Sequence, residues 1–187
     1  SPLDDAILQH AEIDISGWHK IDEVPFDFER RRVSVLVERE GARMLAVKGA
    51  PEDILRLCTR YENETGAVTP LDDAVRARVG TLFDDLGREG FRVLGIAWHP
   101  VPMNHPHAVV TDETKLIFAG FAAFLDPPKV SAGEALVALQ ASGVAVKIVT
   151  GDNELVTRHV CTQLGLAITG VLNGTEIHDM NDDALRA

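Results

Sequence analysis

Four residues in series, Thr150-Gly151-Asp152-Asn153, follow a short apolar run, Val146-Lys147-Ile148-Val149. The run reads as a buried strand, Gly151 as a relaxed turn, and Asp152 or Asn153 as the cap of a following helix. Such a turn can hold oxyanions. Beyond the carboxyl end of a parallel strand, the free amides of a helix start favour phosphate. Taken alone, Thr-Gly-Asp at a strand end is more often plain turn chemistry. Its meaning depends on the elements that position it.

Residues 4–9 read as a short helix with acids at its positive end, and a chain that opens on a helix reads as an excised segment. Val24-Pro25-Phe26-Asp27-Phe28 and Val33-Ser34-Val35-Leu36-Val37 read as strands. Glu40-Gly41-Ala42 then turns the chain into a hairpin partner, Met44-Leu45-Ala46-Val47-Lys48-Gly49. Pro51 suits a first helical position, and Ile54, Leu55 and Cys58 mark a short helix to about Tyr61. Val75, Val79, Leu82, Phe83 and Leu86 predict a helix between Asp72 and Arg88, stopped by Gly90. Residues 91–98 read as another strand. Residues 100–111 read as an exposed connection, and His105 and His107 lack a nearby cysteine or carboxylate for a metal site.

From about residue 113 the pattern changes. Residues 116–125 are a nearly continuous apolar run that suits a strand buried on both faces, ended by Asp126-Pro127-Pro128. Ser131 with Glu134 has capping-box spacing, and Ala135, Leu136 and Leu139 form a buried stripe up to Gly143. Residues 144–149 read as the next strand and 154–164 as the next helix. Strand, helix, strand, helix is the signature of a parallel sheet. The expected architecture is α/β in two parts. Residues 1–113 form an antiparallel sheet flanked by helices, and residues 114–187 form an incomplete parallel α/β unit.

The 187 residues are 45% hydrophobic, ordinary for a globular core, and carry a formal charge of −11. That charge argues against a nucleic-acid or anionic-membrane surface, although local amides and a few cations can still hold a nucleotide. No apolar run approaches the roughly 20 residues of a membrane-spanning helix, so solubility is expected. Cys58 and Cys161 lack metal-ligand spacing and read as reduced core thiols of a cytosolic protein.

Five pieces then coincide in order: residues 24–35 around Phe26, Lys48-Gly49-Ala50-Pro51-Glu52, Gly90-Phe91-Arg92-Val93-Leu94, Asp126-Pro127-Pro128-Lys129 and Thr150-Gly151-Asp152-Asn153. Together they resemble the cytosolic region of P-type cation-transporting ATPases, most like the bacterial magnesium-transporting branch. The resemblance implies a nucleotide-binding domain over 1–113 and part of a haloacid-dehalogenase-like phosphorylation domain over 114–187. It implies ATP and its Mg2+ as ligands, and the remaining pump domains and membrane helices as partners, at the cytoplasmic face of a membrane. Phe26 matches the adenine-stacking position, with Phe28 as fallback. Lys48 and Gly49 match the segment that approaches the nucleotide, and Arg92 the arginine that reaches phosphate oxygens. An arginine facing inward on that strand would need such a partner. Asp4 matches an acid facing the adenine amino group, and Arg31 a basic position near the nucleotide. For Arg30 and Arg32 the simpler reading is an edge strand protected by charge. Thr150, Gly151 and Asp152 match residues that contact the transferred phosphoryl group, and Asp126 with Pro127 an interdomain hinge.

The family's phosphorylated aspartate lies in an Asp-Lys-Thr-Gly-Thr string and its magnesium-binding acids in Gly-Asp-Gly-x-Asn-Asp, neither of which occurs here. The resemblance therefore implies ATP binding without turnover by this segment alone. The alternatives are a soluble phosphatase of the haloacid-dehalogenase type and a binding module that takes no nucleotide.

Overall fold

A computed structural model describes residues 5–7, 14–181 and 183–184, and the chain divides into two compact units, Ser1–Asp126 and Pro127–Ala187. The first unit is built on seven strands: β1 (His19–Asp27), β2 (Arg32–Arg39), β3 (Ala42–Gly49), β4 (Cys58–Glu62), β5 (Val68–Pro70), β6 (Phe91–Val101) and β7 (Leu116–Leu125). They form one sheet in the order β1-β2-β3-β6-β7-β4-β5, antiparallel throughout except for β4 beside β7.

The burial of alternate residues follows from the pleat. Ser34 and Leu36 on β2, Leu45 and Val47 on β3, and Ala97 on β6 are buried, and their register puts them on one face. Helices α1 (Pro51–Leu57) and α2 (Asp73–Arg88) belong to the same unit. Pro51 opens α1 at a position where the missing N–H is no loss. Asp72 caps α2 by accepting from the Val75 N–H at 2.8 Å. Arg76 of α2 donates to the carbonyls of Leu55 and Cys58 at 2.6 and 2.9 Å, tying α2 to the end of α1 and the start of β4. Ile54 of α1 lies so close to β6 that a Cβ at Gly95 would meet its Cβ at 3.0 Å.

Several expectations change here. The apolar run at 116–125 belongs to the first unit's sheet, pairing antiparallel with β6 and parallel with β4, so the division falls at Asp126 to Pro127 rather than near 113. The short helix stops at Leu57, and Cys58 opens β4.

The second unit contains α3 (Val130–Ala141), α4 (Glu154–Gln163) and α5 (Gly174–Asp179). Among its described residues no strand forms. Residues 144–149 are exposed, Val149 at 97%, because a parallel strand takes its hydrogen bonds from neighbours and no ladder reaches this one. The expected stripe on α3 is likewise uncovered at Leu139, and Lys129 rather than Ser131 stands at its N-cap. At α5, Asn173 and Glu176 form a reciprocal capping box.

Truncating Leu36, which is fully buried, to alanine is expected to lower stability by about 2–5 kcal/mol. Val149→Ala should change it by less than about 0.5 kcal/mol. Urea unfolding followed by tryptophan fluorescence would show both.

Candidate functional site

Strand β1 pairs Val24 with Ser34 and Asp27 with Arg32, so Pro25 and Phe26 both stand opposite the single residue Val33. This is a β-bulge, a device that re-aims a side chain. Val33 pairs with Lys48, and Lys48 with Ile96. Phe26 and Lys48 therefore share one rung of the sheet two strands apart, about 10 Å at the usual strand spacing. Arg92 precedes Ile96 by four residues on β6, on the same face and about 13 Å along the strand.

Phe26 is 55% and Phe28 88% exposed, and their rings meet edge to face with centroids 5.3 Å apart. Two aromatic rings at the surface are unusual for residues that normally fill cores. Phe28 lies in the turn after β1, not in the strand. Lys48 is half-buried. Arg92 does not face inward, so the condition under which it would need a phosphate partner is not met. Its side chain is about half exposed and lies 3.2 Å from the Asp126 carboxylate, the last residue of the first unit.

Arg31 adopts a positive φ of 51° in the turn and binds Asp53 on α1 at 2.6 Å. Gly49 is buried, and what approaches its backbone is the protein itself: an added Cβ would stand 2.5 Å from the Arg31 carbonyl oxygen and the Arg32 Cβ. Asp4 lies outside the described residues. In the second unit, the Thr150 hydroxyl accepts from the Asp152 N–H at 3.0 Å, and Asn153 caps α4 by accepting from Leu155 N–H at 2.8 Å. Thr150, Gly151 and Asp152 are exposed.

Arg30 and Arg32 do not protect an edge strand. Both bind Glu113, whose side chain is completely buried, at 2.7 and 2.6 Å. The Ser34 hydroxyl donates to the same carboxylate at 2.5 Å. Arg30 also donates to the Pro25 carbonyl at 2.6 Å. Beside this cluster a cleft of about 340 Å³ is lined by Glu29, Arg30, Arg32, Asp53, Arg56 and Leu57. Glu113 carried no signal in the sequence reading. Three consecutive arginines in an acidic chain call for an anionic partner, but nothing in spacing points to one more than 80 residues away.

Three other ionisable groups, Cys58, His105 and His107, lie outside this cluster. Burial pushes the Cys58 thiol up to about 12, against the opposing charge of Arg76, so it is an unreactive thiol at neutral pH. His105 has a carboxylate partner after all, Asp112 at 2.8 Å, and His107 lies 3.4 Å from Asp22.

The family model for the P-type ATPase cytoplasmic domain N matches residues 5–131. This chain belongs to that family. It is 46% identical over 191 aligned residues to the magnesium-transporting ATPase, P-type 1, of Salmonella typhimurium, covering 99% of this chain and 21% of the relative. The protein of the same name from Escherichia coli K12 is 42% identical over 189 residues, 98% of this chain and 21% of the relative. The endoplasmic reticulum-type calcium-transporting ATPase 3 of Arabidopsis thaliana is 33% identical over 149 residues, 79% of this chain and 15% of the relative. The chain thus spans about a fifth of the magnesium-transporting relatives' length, and these names do not favour the free-standing phosphatase.

Gly49→Ala is expected to cost about 1–3 kcal/mol by forcing the 31–32 backbone away, read by urea denaturation. Asp27 accepts from the Arg30 and Glu29 N–H groups, both at 2.9 Å. The Arg30 bond foremost holds its carboxyl below the ordinary value. A depressed carboxyl contributes stability above its unfolded value of about 3.9, lost as pH falls through the folded value. Asp27→Ala should therefore be less stable than the native chain at pH 6, and the difference should vanish on acidification, as thermal melts across pH would report.

Proposed function

We propose that this chain is the ATP-holding cytosolic portion of a P-type pump. In the whole protein it delivers the γ-phosphoryl group to an aspartate outside this segment and so drives cation transport, with magnesium as the cation. The observation that carries the reading is the exposed Phe26 ring on one sheet rung with the Lys48 ammonium, with Arg92 further along the same face. A purine needs a flat apolar partner, a triphosphate needs fixed cations, and the spacing along the face suits a base at one end and phosphates at the other.

In this reading Phe26 stacks on the adenine, with Phe28 bracing it from the edge. Lys48 meets the nucleotide as a point charge and Arg92 presents a planar fork to phosphate oxygens. Arg31 keeps a secondary role, because Asp53 already engages its guanidinium. Gly49 acts by letting the 31–32 segment close against β3 rather than by admitting the nucleotide. Asp4 is proposed to face the adenine amino group. Mg2+ enters with the triphosphate. Thr150, Gly151 and Asp152 contact the phosphoryl group in the assembled pump, where a hydroxyl and an amide can follow charge as it moves. Asp126 and Pro127 form the hinge, a reading supported by the division of the chain between those two residues. The partners are the remaining pump domains and membrane helices, and the location is the cytoplasmic face of a membrane. Among the described residues no helix is long and apolar enough to cross one.

Titrating ATP with Mg2+ into the labelled chain should shift the amide signals around Phe26, Lys48 and Arg92 without release of inorganic phosphate. Phe26→Ala should weaken binding by about 1–3 kcal/mol, with Lys48→Ala and Arg92→Ala also weakening it. A spectrum unmoved at millimolar ATP would overturn the reading.

A further inference from the structure

We infer that Glu113 is a positioning residue for the nucleotide site, acting through the Arg30 guanidinium on the Pro25 carbonyl and hence on the adenine-stacking ring of Phe26. This rests on the proposed stacking role of Phe26. Glu113 touches neither Phe26 nor Lys48 in the hydrogen bonds of the cluster, so its action is indirect. One arm of the Arg30 fork, Nη1, donates to the Glu113 carboxylate at 2.7 Å, and the other, Nη2, donates to the Pro25 oxygen at 2.6 Å.

The residue so held is the one before Phe26, inside the bulge where two residues of β1 face one of β2. A bulge leaves its extra residue outside the regular ladder, and Pro25 has no N–H to give. Phe26 itself is 55% exposed, and its described ring contact is the still more exposed Phe28. Little packing fixes such a ring, so its direction is set by the backbone that carries it. On the far side, Asp27 accepts from the Glu29 and Arg30 N–H groups, which turns the chain back toward the cluster. Glu113 is the fixed point of this linkage. Its carboxylate is fully buried, and Arg32 and Ser34 hold it from β2 at 2.6 and 2.5 Å. Rigid support of a contacting group by a shell of hydrogen bonds is what makes a site preorganised.

The test is a double-mutant cycle on the 187-residue chain, with MgATP affinity and thermal stability measured for the native chain, Glu113→Gln, Phe26→Leu and the double variant. Coupled neighbours differ by about twofold to a hundredfold in affinity. Glu113→Gln should weaken MgATP binding by at least about threefold in the native background and change it little in the Phe26→Leu background. Without nucleotide, the ring signals of Phe26 and Phe28 should move more than those of Phe118 and Phe121. Arg30→Lys gives a second route should Glu113→Gln fold poorly. An ammonium can still neutralise Glu113 but lacks the planar fork that reaches two acceptors, so it too should weaken MgATP binding only while Phe26 is present. Equal weakening in both backgrounds, or unchanged affinity with only a lower melting temperature, would overturn the inference and leave Glu113 structural. If Phe26→Leu alone binds MgATP as well as the native chain, the stacking reading fails first and the inference falls with it.

Discussion

Glu113 holds a carboxylate inside the protein, with both oxygens occupied by donors from Arg30, Arg32 and Ser34. A lone buried charge costs several kcal/mol, and only close, well-directed donors offset that cost. The two arginines come from the turn after β1 and the start of β2, whereas Glu113 stands just before β7. The cluster therefore joins segments more than 80 residues apart. Removing one partner would leave the others buried and uncompensated, which typically costs 3–5 kcal/mol. Through Arg30 and Arg32 the turn that follows Phe26 is tied to Glu113, and through Arg31 to Asp53 on α1.

The rest of the site follows from strand geometry. On β2, β3 and β6 alternate residues go to the helix-covered face, and those between them go to the other. Lys48 and Arg92 fall on that other face through the parity of their positions. Phe26 reaches the same rung because the bulge inserts one residue, which makes the irregularity in β1 part of the proposed site rather than a fault in the strand. Gly49 and Gly95 stand opposite one another on the covered face. There the 31–32 backbone closes against one and Ile54 against the other. Small residues at these two points let the turn and α1 approach the sheet on the side away from the proposed ligand.

The second unit shows the same physics from the other side. Residues 144–149 have strand composition but no ladder, and their three valines and one isoleucine stay in solvent. Propensity alone does not make a parallel strand, because each of its hydrogen bonds requires a neighbour. The local signals need no neighbour, and they form: Asn153 caps α4 and the Asn173–Glu176 box starts α5.

Features governed by contacts a few residues long were legible in the sequence. These are the β2–β3 hairpin, the limits of α2, the helix after Asn153 and the motif series that marks the family. Placement across the sheet was not. The run at 116–125 reads as a strand of the parallel unit buried on both faces, yet it pairs with β6 and β4 and only Leu116, Ile117 and Phe118 are buried. Apolar composition states neither which neighbours a strand has nor which of its residues they cover. Arg30 and Arg32 look like surface charges until Glu113 is brought beside them, and the sequence leaves open which way Arg92 faces until its register is known. Sequence determined which segments could be strands, helices and turns, because those choices rest on local sterics and hydrogen bonds. Only the tertiary structure decided which charges meet and which face Phe26 shares with Lys48, because register and ion pairing depend on residues that chain distance does not relate.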